Sequence, residues 1–273
     1  MEIRSLEHTN LEVIVECIGK SFRNYFVKIP LEVDFWRKRY HAARVDYSLS
    51  FGAFDSDLLT GFIIHGIDEH ENKLTAFNTG TGVLEEYRGK KIVDQIYHHA
   101  FPILKARKVE KCMLEVIEQN HVAIRVYERI GFRKDRFLRC FHGELGDIDP
   151  EISVREVSFS SLENSIQEYQ RFYSWDHSKR AIEKGGELFK TYIVVNDASI
   201  ELGYFVINTV NKAFIQIESF EASHWSSVLH ATKKVNRAFR INNIDDRNKD
   251  CINTLLASGI KNHINQYEMQ MPL

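Results

Sequence analysis

The sequence is short of the residue types that mark several classes of protein. It contains four prolines and four cysteines among 273 residues. No two of these cysteines form a CxxC pair, and none lies near a histidine at metal-ligand spacing, which argues against a zinc module. Sparse, unpaired cysteines are typical of a reducing compartment. We therefore expect a cytoplasmic protein without a metal cofactor.

Long apolar runs and a charge excess of one sign are also missing. No stretch reaches the ~18 apolar residues that span a bilayer, and the segment MEIRSLEHTNLEVIVE lacks the pattern of a signal peptide. Lys and Arg number 36 against 38 Asp and Glu, giving a net charge of −2. Nucleic-acid binders usually carry a basic excess or stripe. We expect neither a membrane nor a nucleic acid as partner.

What the sequence does contain is the 44% hydrophobic and 27% charged mixture of a globular protein, long enough for one large domain or two ordinary ones. Periodicity and turn residues predict alternating strands and helices, hence an α/β fold. In the first half the predicted strands cover 2–5, 47–54, 59–67, 73–84, 111–117 and 132–142. The predicted helices cover 10–22, a segment opened by Pro30, 91–107 and 121–130.

The second half follows the same order with weaker signals. Its predicted strands cover 152–157, 190–196, 201–208, 212–220, 236–243 and 260–271, and its predicted helices cover 160–184, 225–234 and 247–257. Gly, Asp and Pro cluster over 143–150, where the periodicity lapses. We therefore place a boundary there, between domains 1–145 and 150–273.

Two faint echoes link the halves. Residues 255–260 (LLASGI) resemble 126–132 (VYERIGF), and residues 243–248 (NIDDRN) resemble 116–120 (VIEQN). Such repeats indicate two copies of one fold. The second copy is degenerate, because nothing in it corresponds to the loop described next.

The segment 81–93 (TGVLEEYRGKKIV) lies between a predicted strand and a predicted helix. A loop of this kind can direct several backbone N–H groups at one point, with the helix N-terminus behind them, which suits a phosphate. Arg88, Lys90 and Lys91 add positive charge. Considered alone, the loop is equally well explained as a solvated basic turn.

A second segment decides between these interpretations. The two motifs V-x-x-x-x-R-G-x-G-x-G/A and N-x-x-A-x-x-x-Y-x-x-x-G-F belong to the GNAT acetyltransferase superfamily, which this sequence resembles over residues 80–133. The matching residues are Val83, Arg88 and Gly89 in the first motif, and Asn120, Ala123, Tyr127, Gly131 and Phe132 in the second. The resemblance implies two tandem GNAT-like domains, each a mixed, mostly antiparallel sheet flanked by helices. It also implies acetyl transfer from acetyl-CoA to a primary amine, by direct attack in a ternary complex.

The resemblance assigns the cofactor contacts. The pyrophosphate of coenzyme A would be held by the backbone N–H groups of Arg88, Gly89, Lys90, Lys91, Ile92 and Val93. The pantetheine arm would be held by Val83, Leu84 and Asn120. Lys91 and Val93 replace two glycines of the family motif, and we expect helical backbone angles to suit both positions.

The same resemblance makes Tyr127 the general acid for the leaving thiolate. Glu115 would be the general base, since it resembles the glutamate of ribosomal-protein N-terminal acetyltransferases in strand position and distance from the tyrosine. The substrate would be contacted by Asn78, Thr79 and Thr81. Simpler interpretations stay open: Tyr127 as a core residue, Glu115 as a solvated strand residue, and Asn120 as a helix cap that also contacts the ligand.

Two other classes of function remain alternatives. Because of Lys91 and Val93, the chain could be a coenzyme A-binding or sensing module without catalysis. If the loop match is accidental, it is a structural interaction protein. The acceptor, a small-molecule or peptide amine, is left open, as is a homodimer. No second acetyl-CoA site is expected in the second half.

Overall fold

The computed structural model describes residues 1–146 and 152–273, with the side chains of residues 163 and 164 excepted. Residues 147–151, the centre of the predicted boundary segment, lie outside the described residues. The described part divides into two compact units. The first consists of Met1–Asp135 together with Glu268–Leu273, and the second of Arg136–Tyr267.

This division differs from the predicted boundary in two places. The strand predicted to close the first domain, β6 (Arg133–Glu144), pairs with β11 (Ala238–Asp245) and belongs mostly to the second unit. The last strand, β12 (Lys261–Pro272), ends in residues that belong to the first unit. Local sequence cannot show either exchange, because both depend on which strands pair.

The first unit has five strands of its own and four helices. The strands are β1 (Glu2–Ser5), β2 (Phe51–Asp55), β3 (Leu58–His70), β4 (Lys73–Val83) and β5 (Lys111–Ile117), and the helices are α1 (Leu11–Ser21), α2 (Val33–Ala42), α3 (Ile92–Ala106) and α4 (His121–Ile130). The strands run in the order β1-β2-β3-β4-β5, followed by the end of β12. Neighbours from β1 to β4 are antiparallel, and β4 and β5 are parallel.

The core of the first unit follows from the helical spacing of its apolar residues. Helix α1 buries Ile14, Val15 and Ile18 in one cluster with Phe62 of β3. Each such aliphatic side chain contributes roughly 1.5–3 kcal/mol on burial. Helix α3 buries an apolar face of its own. With both helices packed in the first unit, β3 is buried along most of its length.

Two helices of the first unit differ from the prediction. Helix α2 begins at Val33 and not at Pro30, whose carbonyl accepts a hydrogen bond from Nε1 of Trp36 at 2.9 Å. A second difference from simple expectation is Pro102: proline inside a helix usually kinks or ends it, yet α3 continues to Ala106. Helix α4 has the predicted bounds, because Asn120 and Gly131 mark its ends locally.

The second unit repeats this arrangement. Its remaining elements are β7 (Ser153–Val157), α5 (Glu163–Ile166), α6 (Lys179–Gly185), β8 (Phe189–Val195), β9 (Glu201–Asn208), β10 (Phe214–Ser219), α7 (Trp225–Ala231) and α8 (Lys249–Ala257). The strands follow the order β6-β11-β10-β9-β8-β7, and β10 and β11 are the parallel pair. The helices predicted over 160–184 are present as short pieces, α5 and α6 with 3₁₀ segments before and between them.

In the part of the chain that the structure describes, no helix is both long and apolar enough to cross a bilayer. Within the same residues, no group of three or more His, Cys, Asp or Glu side chains is arranged to hold a metal ion.

Candidate functional site

The basic loop ends where α3 begins, and its backbone is partly left-handed. Gly89 has φ 78°, and Lys91, the residue before α3, has φ 54° and ψ 35°. The expectation of helical angles is therefore wrong for Lys91, whereas Val93 lies inside α3. A left-handed conformation costs a non-glycine residue about 1–2 kcal/mol. Lys91 thus has a left-handed backbone, the conformation that glycine, the residue of the family motif at this position, adopts without strain.

This loop presents a run of backbone donors. The N–H of Arg88 donates to the carbonyl of Glu85 at 3.2 Å. For the five N–H groups from Gly89 to Val93, no acceptor lies among the described residues. They stand at the N-terminus of a 15-residue helix, where the macrodipole favours an anion. Of the six residues predicted to hold the pyrophosphate, five therefore have a backbone N–H available to a ligand, and Arg88 does not.

The charged side chains of the loop divide into two groups. Arg88 donates from Nη2 to the carbonyl of Ser21 at 2.8 Å, and from Nε to that of Val83 at 3.3 Å. Its guanidinium therefore fastens the loop to the end of α1. Lys90 lies over the ring of Tyr87, 4.5 Å from its centroid, and Lys91 is exposed. Positive charge for a ligand thus comes from the two lysines.

A gap opens between β4 and β5 beside this loop. The parallel register runs from Thr75 opposite Lys111 to Asn78 opposite Leu114, and ends there. Glu115, half-buried, is the first residue of β5 beyond the last pair. On the other edge of β4, Val83 pairs with Gly61, and the Leu84 N–H donates to the carbonyl of Thr60 at 2.9 Å. This Leu84 donor is therefore already used by β3.

Helix α4 brings Asn120 and Tyr127 to the same region. Oδ1 of Asn120 accepts a hydrogen bond from the N–H of Ala123 at 3.2 Å, which confirms the predicted helix cap. The Tyr127 side chain is buried, and its hydroxyl lies beside Thr81 and Asn78. Burial raises the pKa of Tyr127 to about 12, although hydrogen bonding with these two residues opposes the shift. Tyr127 consequently holds its proton throughout the neutral range.

One residue of this region was missed by sequence reasoning. Tyr25, between α1 and α2, lies near Tyr127, and its hydroxyl lies beside the side chain of Asn120. Burial raises the pKa of Tyr25 as well. The hint in the sequence is that two other aromatic residues, Phe22 and Phe26, lie nearby along the chain. In the structure, both rings make edge contacts with the ring of Tyr25.

The three predicted substrate residues do not share one face of β4. Asn78 and Thr81 hydrogen-bond to each other, whereas the Thr79 hydroxyl accepts from Nη1 of Arg39 at 2.7 Å. His65 of β3, which pairs with Asn78, is fully buried, and its Nδ1 lies 2.7 Å from the carbonyl of Leu49. Burial lowers the pKa of His65 to about 4, so it stays neutral.

The second unit has the same framework with different contents. Its parallel strands β10 and β11 are in register only at Phe214 and Ile241, and Asn248 caps α8 as Asn120 caps α4. In the gap, however, the Tyr173 hydroxyl accepts from the N–H of Ile217 at 3.2 Å and lies 3.1 Å from the carbonyl of the same residue. The Tyr173 side chain thus already bonds both backbone groups of Ile217 in the second unit.

Comparison with known proteins identifies the framework. The acetyltransferase (GNAT) family matches residues 15–132. N-alpha-acetyltransferase 30 of Schizosaccharomyces pombe is 31% identical over 94 residues, which cover 34% of this chain and 63% of that protein. The chain therefore spans less than two thirds of this relative.

Two solved structures share the fold along almost the whole chain. A GCN5-related N-acetyltransferase from Sphaerobacter thermophilus has a TM-score of 0.68 at 10% identity, covering 99% of this chain and 95% of that one. A tandem GNAT protein from the clavulanic acid biosynthesis pathway has a TM-score of 0.69 at 12% identity, covering 99% and 98%. These likenesses confirm the predicted tandem GNAT fold, and the match to the GNAT acetyltransferase family lies within its first half, over residues 15–132.

Proposed function

We propose that the first unit transfers an acetyl group from acetyl-CoA to a primary amine, by direct attack within a ternary complex. One observation carries the proposal: β4 leaves its register with β5 at Asn78, where the buried hydroxyl of Tyr127 lies, and then leads through the basic loop to a helix N-terminus with free backbone donors. An extended thioester could therefore hold its phosphates at one end of this gap and its sulfur at the other.

The residues present fit the phosphate end of coenzyme A. The N–H groups of Gly89, Lys90, Lys91, Ile92 and Val93 would hold the pyrophosphate, and the two lysines would add charge. Val83, Leu84 and Asn120 would border the pantetheine arm. Acetyl-CoA supplies the activated acyl group as a thioester.

Chemistry at the other end needs a neutral amine and a proton for the leaving sulfur. The amine nitrogen attacks the thioester carbonyl carbon, the C–S bond breaks, and the Tyr127 hydroxyl gives its proton to the sulfur. The proton that the nitrogen loses as it becomes an amide then returns, directly or through water, to the Tyr127 oxygen. Glu115, beside the gap on β5, would take the proton that the ammonium substrate loses, directly or through water. No covalent enzyme intermediate is required.

The acceptor is best sought first among polypeptide α-amino groups. The similarity to a protein named N-alpha-acetyltransferase supports this order of testing. Small-molecule amines form the second panel, because the residues around Tyr127 do not by themselves distinguish the two kinds of acceptor.

The test combines binding with turnover. Calorimetric titration with acetyl-CoA should show binding that is weakened at least tenfold in the Lys90→Glu/Lys91→Glu variant. The matched control, Lys233→Glu/Lys234→Glu, changes two adjacent lysines of the second unit and should bind like the wild type. Binding followed by acetylation in an amine screen supports the proposal. Binding without turnover favours a coenzyme A-binding module, and no binding by the folded protein favours a structural role.

A further inference from the structure

The carboxamide of Asn78 lies at the centre of a buried hydrogen-bond network. Its Nδ2 donates to Oγ1 of Thr81 at 2.7 Å and to the hydroxyl oxygen of Tyr97 at 2.8 Å. Its Oδ1 accepts the backbone N–H of Gly80 at 3.1 Å. Because an N–H must face an oxygen, the Gly80 contact determines which way the carboxamide points. Both amide hydrogens are then directed at hydroxyl oxygens.

A β-bulge makes this network possible. Along a regular strand, residues three apart point to opposite faces. In β4 the register with β3 skips Thr79, since Ile64 lies opposite Gly80 and His65 opposite Asn78. The extra residue reverses the alternation, so Asn78 and Thr81 share a face. The Thr79 hydroxyl meets Arg39 from α2 instead.

The face shared by Asn78 and Thr81 is the one toward Tyr127. Tyr97 of α3 and Tyr127 of α4 both pack on Phe132, with ring centroids 5.4 Å and 5.9 Å away. The Tyr127 hydroxyl lies beside Thr81 and Asn78. The Thr81 hydroxyl oxygen receives the Asn78 amide, and its own hydrogen has two acceptors within reach, Oδ1 of Asn78 at 3.0 Å and the Tyr127 oxygen beside it.

We propose that Asn78 and Thr81 are positioning residues for Tyr127, not contacts for the acceptor amine. This inference rests on the proposed function, because it concerns how the proton donor of that reaction is held. When the Thr81 hydroxyl turns from Oδ1 of Asn78 to Tyr127, donors run in one direction, from the Asn78 amide to the Thr81 hydroxyl and on to the Tyr127 oxygen. The Tyr127 hydrogen is thereby left for the departing sulfur, and the negative charge that forms on its oxygen after transfer is stabilised.

A double-mutant cycle tests the inference. Thr81→Val, which is nearly isosteric, should lower kcat roughly tenfold and leave the KM for the acceptor within twofold, because only part of a general-acid effect is lost. In a Tyr127→Phe background the same change should have less than a twofold further effect. Thr81→Ser should restore most of kcat. Thr75→Val is the control on the same strand, since its hydroxyl bonds the carbonyl of Lys73 at 2.9 Å.

Two results would overturn the inference. One is an equal loss from Thr81→Val in both backgrounds. The other is a rise in the acceptor KM with kcat unchanged, which would indicate a substrate contact.

A second readout does not depend on activity. In protein labelled with ¹³C at the tyrosine ζ carbon, the Tyr127 resonance is identified by its loss in Tyr127→Phe. It should shift in Asn78→Ala and in Thr81→Val, and stay in place in Thr75→Val. If it stays in place in all three variants, the positioning role is wrong. If the wild type acetylates no amine, the proposed function fails while this spectrum still decides whether the network holds Tyr127.

Discussion

Tyr127 and Leu255 occupy the same position in two copies of one helix, each seven residues after the asparagine that caps it. The caps agree closely: Asn120 has φ −83° and ψ 63°, and Asn248 has φ −79° and ψ 71°. Each helix is followed by a glycine with positive φ, Gly131 or Gly259. The helix and both of its ends are therefore repeated in the two units, but at this position only the first copy has a proton donor.

Removing that donor is the first prediction. Tyr127→Phe should lower kcat roughly 100-fold, within the usual range for a general acid, with the Kd for acetyl-CoA within threefold of the wild type. Initial-rate assays measure kcat, and calorimetry measures the Kd for acetyl-CoA. Tyr192→Phe, a tyrosine of the second unit that bonds Glu156, is the control. An unchanged kcat in Tyr127→Phe would assign the residue to the core.

The second prediction concerns stoichiometry. Because Tyr173 engages both backbone groups of Ile217 in the second unit, we expect one acetyl-CoA per chain. Calorimetry on protein of known active concentration measures this number. A value of two would show that the second gap opens.

The third prediction concerns backbone strain. Lys91 has φ 54°, so Lys91→Gly should raise the free energy of unfolding by about 0.5–1 kcal/mol, since relief of the left-handed strain exceeds the entropy that glycine adds to the unfolded chain. Lys90→Gly, at the neighbouring position without positive φ, should lower it by a similar amount. Urea unfolding measures the free energy of unfolding of both variants. Equal changes in the two would show that the backbone at Lys91 is not strained.

The fourth prediction concerns a charge pair beside the loop. Arg129 donates to both carboxylate oxygens of Asp94, in the first turn of α3, at 2.7 Å each. This hydrogen bonding lowers the pKa of Asp94 and masks its negative charge next to the proposed pyrophosphate site. Arg129→Gln should weaken coenzyme A binding roughly 2- to 5-fold at low salt, the usual effect of a charge at a helix end.

Adding Asp94→Asn to Arg129→Gln should restore the affinity, because no unmasked carboxylate remains. High salt should reduce both differences. A loss of affinity that persists in the double variant would mean that Arg129 contacts the ligand itself.

The fifth prediction concerns pH. Glu218 of β10 is buried, with Oε1 2.8 Å from the Tyr173 hydroxyl, and burial raises the pKa of Glu218 to about 8. The unfolded chain loses this proton near pH ~4.3. Between these values the folded state binds one proton more, so the free energy of unfolding falls as pH rises, by up to about 1.4 kcal/mol per unit, and levels off above pH 8.

Glu218→Gln removes the titrating group and should flatten this dependence. Urea unfolding at pH 5, 6.5 and 8.5 measures it, with Glu156→Gln, an exposed carboxyl, as the control. Parallel pH curves for Glu218→Gln and the wild type would contradict the assignment.

Structural features that depend on neighbouring residues could be predicted from the sequence. Helix α4 was predicted to the residue because its cap and its terminal glycine are local signals. The repeat of fold between the halves rested on the same signals. The motif spacing also identified Tyr127 and the basic loop, since each lies within one strand–helix unit.

The face of the sheet to which each residue of β4 points could not be predicted, because it depends on how β4 pairs with β3. Asn78 and Thr81 lie together because β3 pairs around a bulge at Thr79, and that register depends on another strand. The breaks between the helices predicted over 160–184 have a similar cause. Tyr173 bonds the backbone of β10, more than 40 residues away in the chain. Long-range hydrogen bonds outweigh a local preference of a few tenths of a kcal/mol per residue, and no local pattern records them.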